Sequence, residues 1–241
     1  RALASTVDFI ACHDFVRTVN FIGFSKCGAI ALDMAKYLTT MDARFKTRLY
    51  SVSAPYTGAL IAGPLLFEKE IVSYVKAKMG DTPMSEKVIK SVMEYYYNHH
   101  SRSHMELDIS PREGVPKGFI PVYDSSFLQN IFSDENLKGV DSVAHYQNIC
   151  TKIEEETFAT TMKAGAFDQI RMFVFNDILY KGESDGLVYI DSQRAIEKHL
   201  PKLGESLLIP STHHVLKTPV YANQLLDVVD ENMGAKRLAL H

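Results

Sequence analysis

The chain has 241 residues, 46% of them hydrophobic and 23% charged, with a formal net charge of -3. That length suits one large α/β domain or a domain with an insertion, and the composition is ordinary for a globular core. It argues against nucleic acid, because no basic stripe interleaved with aromatics appears, and against a transmembrane helix, because no run of about 18 uncharged apolar residues exists.

Cys12, Cys27 and Cys150 are odd in number and far apart, so they make neither a disulfide framework nor a zinc spacing. Localisation stays open: free cysteines favour a reducing, cytoplasmic setting, yet many secreted enzymes also lack disulfides. Residues 2–14 carry Leu3, Val7, Ile10 and Ala11 at helical spacing, and they read as a helix already under way, without initiator Met or signal peptide. The chain is therefore expected to be cut or incomplete at its start.

Residues 17–23, RTVNFIG, predict a buried strand. A turn centred on Ser25 follows, and Ala29 to Leu38 predict a helix with Ile30, Met34 and Leu38 on one stripe. A second strand is expected over 47–53, before a Pro/Gly loop. Helix and strand alternate here as in a parallel sheet with crossover helices. The pattern then changes. LLFEKEIVSYVKAKMG, MSEKVIKSVMEYYYNHH and DSVAHYQNICTKIEEETFATTMKAG all read as helical, around an irregular Pro/Gly-rich piece, DISPREGVPKGFIPVYDSS. This predicts a helical insertion over 63–165. The sheet is expected to resume with strands at 170–176 and 205–209, separated by the helix DSQRAIEKHL, and to end with the helix YANQLLDVVDENM.

Gly23-Phe24-Ser25-Lys26-Cys27-Gly28 lies between a predicted strand and a predicted helix. That is the setting of a nucleophile elbow, normally Gly-x-Ser-x-Gly, where strand and helix approach so closely that the flanking residues must be small. Gly23 meets the requirement; Cys27 departs from it and reads as a tolerated small substitute, with Gly28 directly behind. Taken alone, the stretch fits a capping serine equally well. Asp185 follows in KGESDGLVYIDSQRA, in a loop before a helix, where Asp-Gly is also a favoured turn pair. His213 and His214 follow in IPSTHHVLKTP, just past the last strand. Serine, acid and histidine thus occur in the chain order that a triad on such a sheet requires.

At this point the chain resembles the α/β-hydrolases, of the lipase and carboxylesterase kind. GFSKCGAIALDMA resembles the elbow, SVSAPYTGALIA the segment after the next strand, DISPREG…SSFLQNIF a stretch of lipase caps, GESDGLVYIDSQRA the acid loop and STHHVLKT the histidine loop. The resemblance is scattered over residues 20–241 and implies an α/β-hydrolase-like, mostly parallel sheet flanked by helices. Residues 1–62 would form the elbow half of the core, 63–165 a helical cap, and 166–241 the half that carries acid and histidine. Ser25 would attack an ester, with Asp185 orienting the base. The Ser-x-His-Val pattern of carboxylesterase loops selects His214 as that base, whereas lipase loops with a Leu three residues later select His213; His214 is preferred. The backbone N–H of Lys26 would hold the oxyanion.

No cofactor or metal is expected. His99, His100 and His104 cluster in the cap, and a helix would bring His100 and His104 together, but no acidic or cysteine ligand completes a site and an exposed polar face is the preferred reading. Tyr95–Tyr97, Phe119, Tyr123 and Phe127 would line an acyl pocket or, preferably, form the cap's own core. The expected substrate is a small-molecule acyl or lipid ester. A non-catalytic scaffold on the same fold, or an acyltransferase using the same triad, are the alternatives. In the α/β-hydrolases half the sheet precedes the elbow strand, so an upstream segment or a separate chain is expected to pair with residues 17–23 and bring a second oxyanion donor.

Overall fold

The computed structural model describes residues 8–10, 12–13, 15–41, 45–59, 68–101, 140, 143–154, 167–200, 205–213, 223 and 225–229. Four strands, β1 (Thr18–Phe24), β2 (Lys46–Val52), β3 (His145–Lys152) and β4 (Leu207–Pro210), form one sheet in the order β1-β2-β3-β4. All three pairings are parallel, so each connection crosses back over a face of the sheet. The crossovers carry α1 (Lys26–Met41), then α2 (Glu68–Met79) and α3 (Pro83–Ser101), then α4 (Phe167–Tyr180), α5 (Ile190–Arg194) and a 3-10 turn (Ala195–Lys198).

Both faces of the central strands β2 and β3 are covered, whereas Ile22 of β1 and Leu207 and Leu208 of β4 are exposed, so β1 is less buried than its sequence predicts. On one face, Leu49 and Tyr146 meet Ala29 and Leu32 of α1 and Ala195 and Ile196 of the 3-10 turn. On the other, Val52 and Ile149 meet Leu225, with Phe24, Ile209 and Val228 packed around them. The two sets alternate along each strand, as the period of two requires. The buried side of α1 is Ala31, Leu32, Ala35 and Leu38, whereas Ile30 is exposed. The expected Ile30–Met34–Leu38 stripe is thus rotated, because small alanines face the sheet where helix and strand crowd.

α2, α3 and α4 pack together around Ile71, Val75, Val88, Val92, Tyr96 and Phe175. Local signals explain their boundaries. Glu68 and Glu70 open α2 and Lys76 and Lys78 close it, complementing the helix dipole. Thr82 and Ser85 cap α3 reciprocally, each side chain meeting the other's backbone N–H at 3.2 and 2.9 Å, with Pro83 at the first helical position.

Two expectations are corrected. Residues 170–176 are helical, within α4. Ile170, Met172, Phe173, Val174 and Phe175 are all buried, so the segment is apolar on nearly every side, and a continuous apolar run does not separate a buried helix from a buried strand. The third strand, His145–Lys152, instead comes from the segment read as helical cap. Its polar residues hid it: Asn148 and Thr151 are buried and hydrogen-bonded in the interior. The helical layer therefore comprises α2, α3 and α4, and the 63–165 insertion does not hold as a unit apart from the sheet. The elbow strand pairs with β2, and β3 and β4 continue outward on that side; among the described residues β1 has no second neighbour. Among the described residues no helix is long and apolar enough to cross a membrane.

Candidate active site

The turn between β1 and α1 is built from close approach. A Cβ on Gly23 would lie 2.4 Å from the Cys27 carbonyl oxygen and 2.6 Å from Gly28 Cα. A Cβ on Gly28 would lie 2.6 Å from Ser51 Oγ and 2.7 Å from Ala54 Cβ. Ser25 sits at the apex with φ 55°, in the left-handed region that non-glycine residues seldom occupy. Its N–H donates to the Val52 carbonyl at 2.8 Å, and its own carbonyl accepts from Gly28 at 2.8 Å. The elbow is thus fastened to the carboxyl end of β2. α1 begins at Lys26, so the positive end of its dipole lies at Ser25, and no acidic residue in its first turn offsets it. Cys27 is exposed. It does not stand in for a packing glycine; Gly23 and Gly28 take up the close contacts.

Asp185 is fully buried in the loop after α4. Gly186 is obligatory there, with φ 97° and a Cβ that would lie 2.5 Å from Met172 Cβ. Asp185 Oδ1 accepts the backbone N–H groups of Leu187 and Val188 at 3.0 and 2.8 Å. Oδ2 accepts the Thr151 hydroxyl at 2.8 Å. The same Oδ2 lies 2.8 Å from Nδ1 of His213, and His213 Nε2 lies 2.9 Å from Ser25 Oγ. The ring of His213 is buried and packs against Phe24, with centroids 4.9 Å apart. Its backbone N–H donates to the Asp185 carbonyl at 2.8 Å, which couples the two loops a second time. Since Asp185 only accepts when ionised, Nδ1 carries the proton and Nε2 faces the serine hydroxyl as an acceptor.

The structure therefore brings together Ser25, Asp185 and His213. The histidine in place is the alternative of the two: the preferred His214 lies outside the described residues, and the imidazole that spans serine and acid belongs to His213. The reason is local. β4 ends at Pro210, and Ser211 still donates to Lys152 at 2.8 Å as an extension of the ladder, so the chain turns inward at His213. On α3, Tyr96 is buried and Tyr95 packs on Phe175 of α4, in an internal core, while Tyr97 is exposed. Phe119, Tyr123, Phe127 and His104 lie outside the described residues, as does the Pro/Gly-rich piece at 108–126. Among the described residues no cluster of metal-ligating side chains occurs.

Thr151 and Gln193 were not singled out from sequence. Gln193 is fully buried eight residues after the acid, and a glutamine so close behind an acid loop, inside a segment otherwise read as an ordinary helix, was the one available signal. Compared with known proteins, the chain matches no family model and no curated protein.

Proposed function

We propose that this protein is a serine hydrolase of the α/β-hydrolase type that cleaves carboxylic esters, of acyl or lipid character, through an acyl-enzyme. The observation that carries this reading is the unbroken relay from Ser25 Oγ through His213 to Asp185, at 2.9 and 2.8 Å. A scaffold needs no such geometry, and the left-handed φ of Ser25 places it at the apex of the turn, with its hydroxyl within reach of His213.

In the mechanism, Ser25 Oγ attacks the ester carbonyl while His213 Nε2 takes its proton. The buried Asp185 carboxylate holds the imidazole in the required tautomer and stabilises the imidazolium. The backbone N–H of Lys26, at the start of α1, donates to the oxyanion. His213 returns the proton to the leaving alcohol, and an acyl group remains on Ser25. Water, activated by the same imidazole, then releases the acid. The helical layer of α2, α3 and α4 packs directly on the acid loop through Leu187 and Val188 and so braces the segment that presents Asp185.

Labelling with a fluorophosphonate, followed by mass spectrometry of the peptides, tests the reading. The expected outcome is one adduct, on Ser25, and loss of hydrolysis by roughly 10⁴-fold or more in Ser25→Ala. A folded wild-type protein that neither takes the label at Ser25 nor hydrolyses p-nitrophenyl esters of any chain length overturns it.

A further inference from the structure

We propose that Thr151 and Gln193 are positioning residues, which together fix the Asp185 carboxylate and set how strongly it holds the proton on His213. The inference rests on the hydrolase reading for its catalytic consequence, but its physical core is a hydrogen-bond network away from the substrate.

The network starts where β2 ends. Alternate residues of β3 direct their backbone groups to alternate neighbours. Ile149 accepts from Ser53 on the β2 side at 2.9 Å, and Lys152 accepts from Ser211 on the β4 side at 2.8 Å. Thr151 shares the parity of Ile149, so its N–H and carbonyl face β2, which has already turned away at Ser53 with φ 51°. Two buried backbone groups would be left without partners. The carboxamide of Gln193 fills the gap: its Oε1 accepts the Thr151 N–H at 2.8 Å and its Nε2 donates to the Thr151 carbonyl at 2.9 Å. A side-chain amide thus replaces the missing strand. Nε2 also donates to the Val188 carbonyl at 3.1 Å and lies 3.4 Å from Asp185 Oδ2. With two hydrogens for three acceptors, the longest of these contacts is the weakest.

Gln193 therefore ties together the two segments that hold the acid. Val188 donates to Oδ1 from one side and Thr151 donates to Oδ2 from the other. Because an ionised carboxylate only accepts, the Thr151 proton must point at Asp185. Ser53 Oγ, 2.5 Å from Thr151 Oγ1, must then be the donor to Thr151. The result is a directed chain, Ser53 to Thr151 to Asp185, that ends on the same oxygen as His213. Each donor to that oxygen draws off negative charge and weakens its grip on the imidazolium. Among the described residues, the charged side chains near β3 are paired: Arg194 lies 3.3 Å from Glu197 on the far side of Cys150. Lys152 and Glu183 pair with each other at 2.6 Å. The Cys150 thiol on β3 is pushed up to about 12 by burial and stays neutral. Met172 and Asn176 of α4 and Phe24 of the elbow are uncharged.

Removing the Thr151 hydroxyl should make His213 more basic. In Thr151→Val, an NMR titration of the His213 ring is expected to move upward by about 0.5–1 pH unit, a three- to tenfold gain in proton affinity. The acid limb of kcat/KM should move with it, KM should stay unchanged, and Thr151→Ser should restore wild-type behaviour. Should Thr151→Val fail to fold, Ser53→Ala carries the same test, with a smaller upward shift. A folded Thr151→Val, or failing that Ser53→Ala, whose His213 titrates as in wild type overturns the proposal. The ring titration needs no turnover. A protein whose Ser25 resists labelling but whose His213 shifts loses the hydrolase reading alone, whereas a labelled, active protein with an unshifted His213 loses only this inference.

Discussion

Gly23, Ser25, Cys27 and Gly28 show how unequal neighbouring residues of one motif are. A Cβ on Gly23 would meet backbone atoms at 2.4–2.8 Å, which cannot yield as a flexible side chain would. Gly23→Ala is therefore expected to destabilise the fold by about 1–3 kcal/mol, read as a lower urea midpoint, and to abolish Ser25 labelling by opening the elbow. Cys27 is exposed, so Cys27→Ser is expected to change stability by no more than about 0.5 kcal/mol and to leave labelling intact. An equal loss in both variants would show that the two positions share one packing constraint. The motif was legible because the tight turn limits residue type. The partition of roles within it was not, because which small residue faces the strand depends on how α1 leaves the turn. The same limit applied to the base: His213 and His214 differ only in which way the loop turns after Pro210.

Among the described elements, α5 is a helix of only five residues, yet it supplies Gln193 and Ser192 around the site. Gln193 stands in for a strand, and Ser192 beside it accepts from Thr57 at 3.0 Å and donates to Gly58 at 2.8 Å. Gln193→Leu keeps the volume but leaves the Thr151 N–H and carbonyl buried without partners. It is expected to cost about 1–3 kcal/mol of unfolding free energy for each orphaned group, measured by denaturant titration. A neutral Gln193→Leu would mean that the end of β3 can find other partners. Sequence pattern found β1, β2 and β4 as short apolar runs bounded by turns and α1 by its helical spacing, although the side of α1 that is buried was misplaced. It failed at β3 and α4 for opposite reasons. β3 buries Asn148 and Thr151, which look like surface residues until Gln193 and Ser206 are in place around them. α4 is enclosed by α2, α3 and the acid loop, so its surface-facing polar stripe is too thin to reveal the helical period.

At the scale of the whole molecule, the sheet interior carries a set of weak acids held neutral by burial. Tyr56 donates to Ser51 Oγ at 2.7 Å, and Tyr146 OH lies 2.7 Å from Tyr56 OH, beneath α1 and the 3-10 turn. Burial pushes the Tyr56 phenol up to about 12 and the Tyr146 phenol well above its usual 10, where the neighbouring phenol adds to the effect. Burial also pushes the Cys150 thiol up to about 12. In the unfolded chain these groups ionise near their ordinary values, so above them the unfolded state has released protons that the folded state retains. The stability they contribute is present below about pH 9, the ordinary value of the thiol in the unfolded chain, and is lost as pH rises toward 12. Each such group then lowers stability by about 1.4 kcal/mol per pH unit. Denaturant titrations between pH 8 and 12 should therefore show a flat stability up to about 9 and a steepening fall beyond it. Tyr146→Phe should start from a lower stability at neutral pH, because Tyr56 loses a partner, yet fall less steeply above pH 10 by the slope of one proton. An unchanged slope in Tyr146→Phe would mean that this phenol already ionises in the folded protein, and that water reaches the face of the sheet that α1 covers.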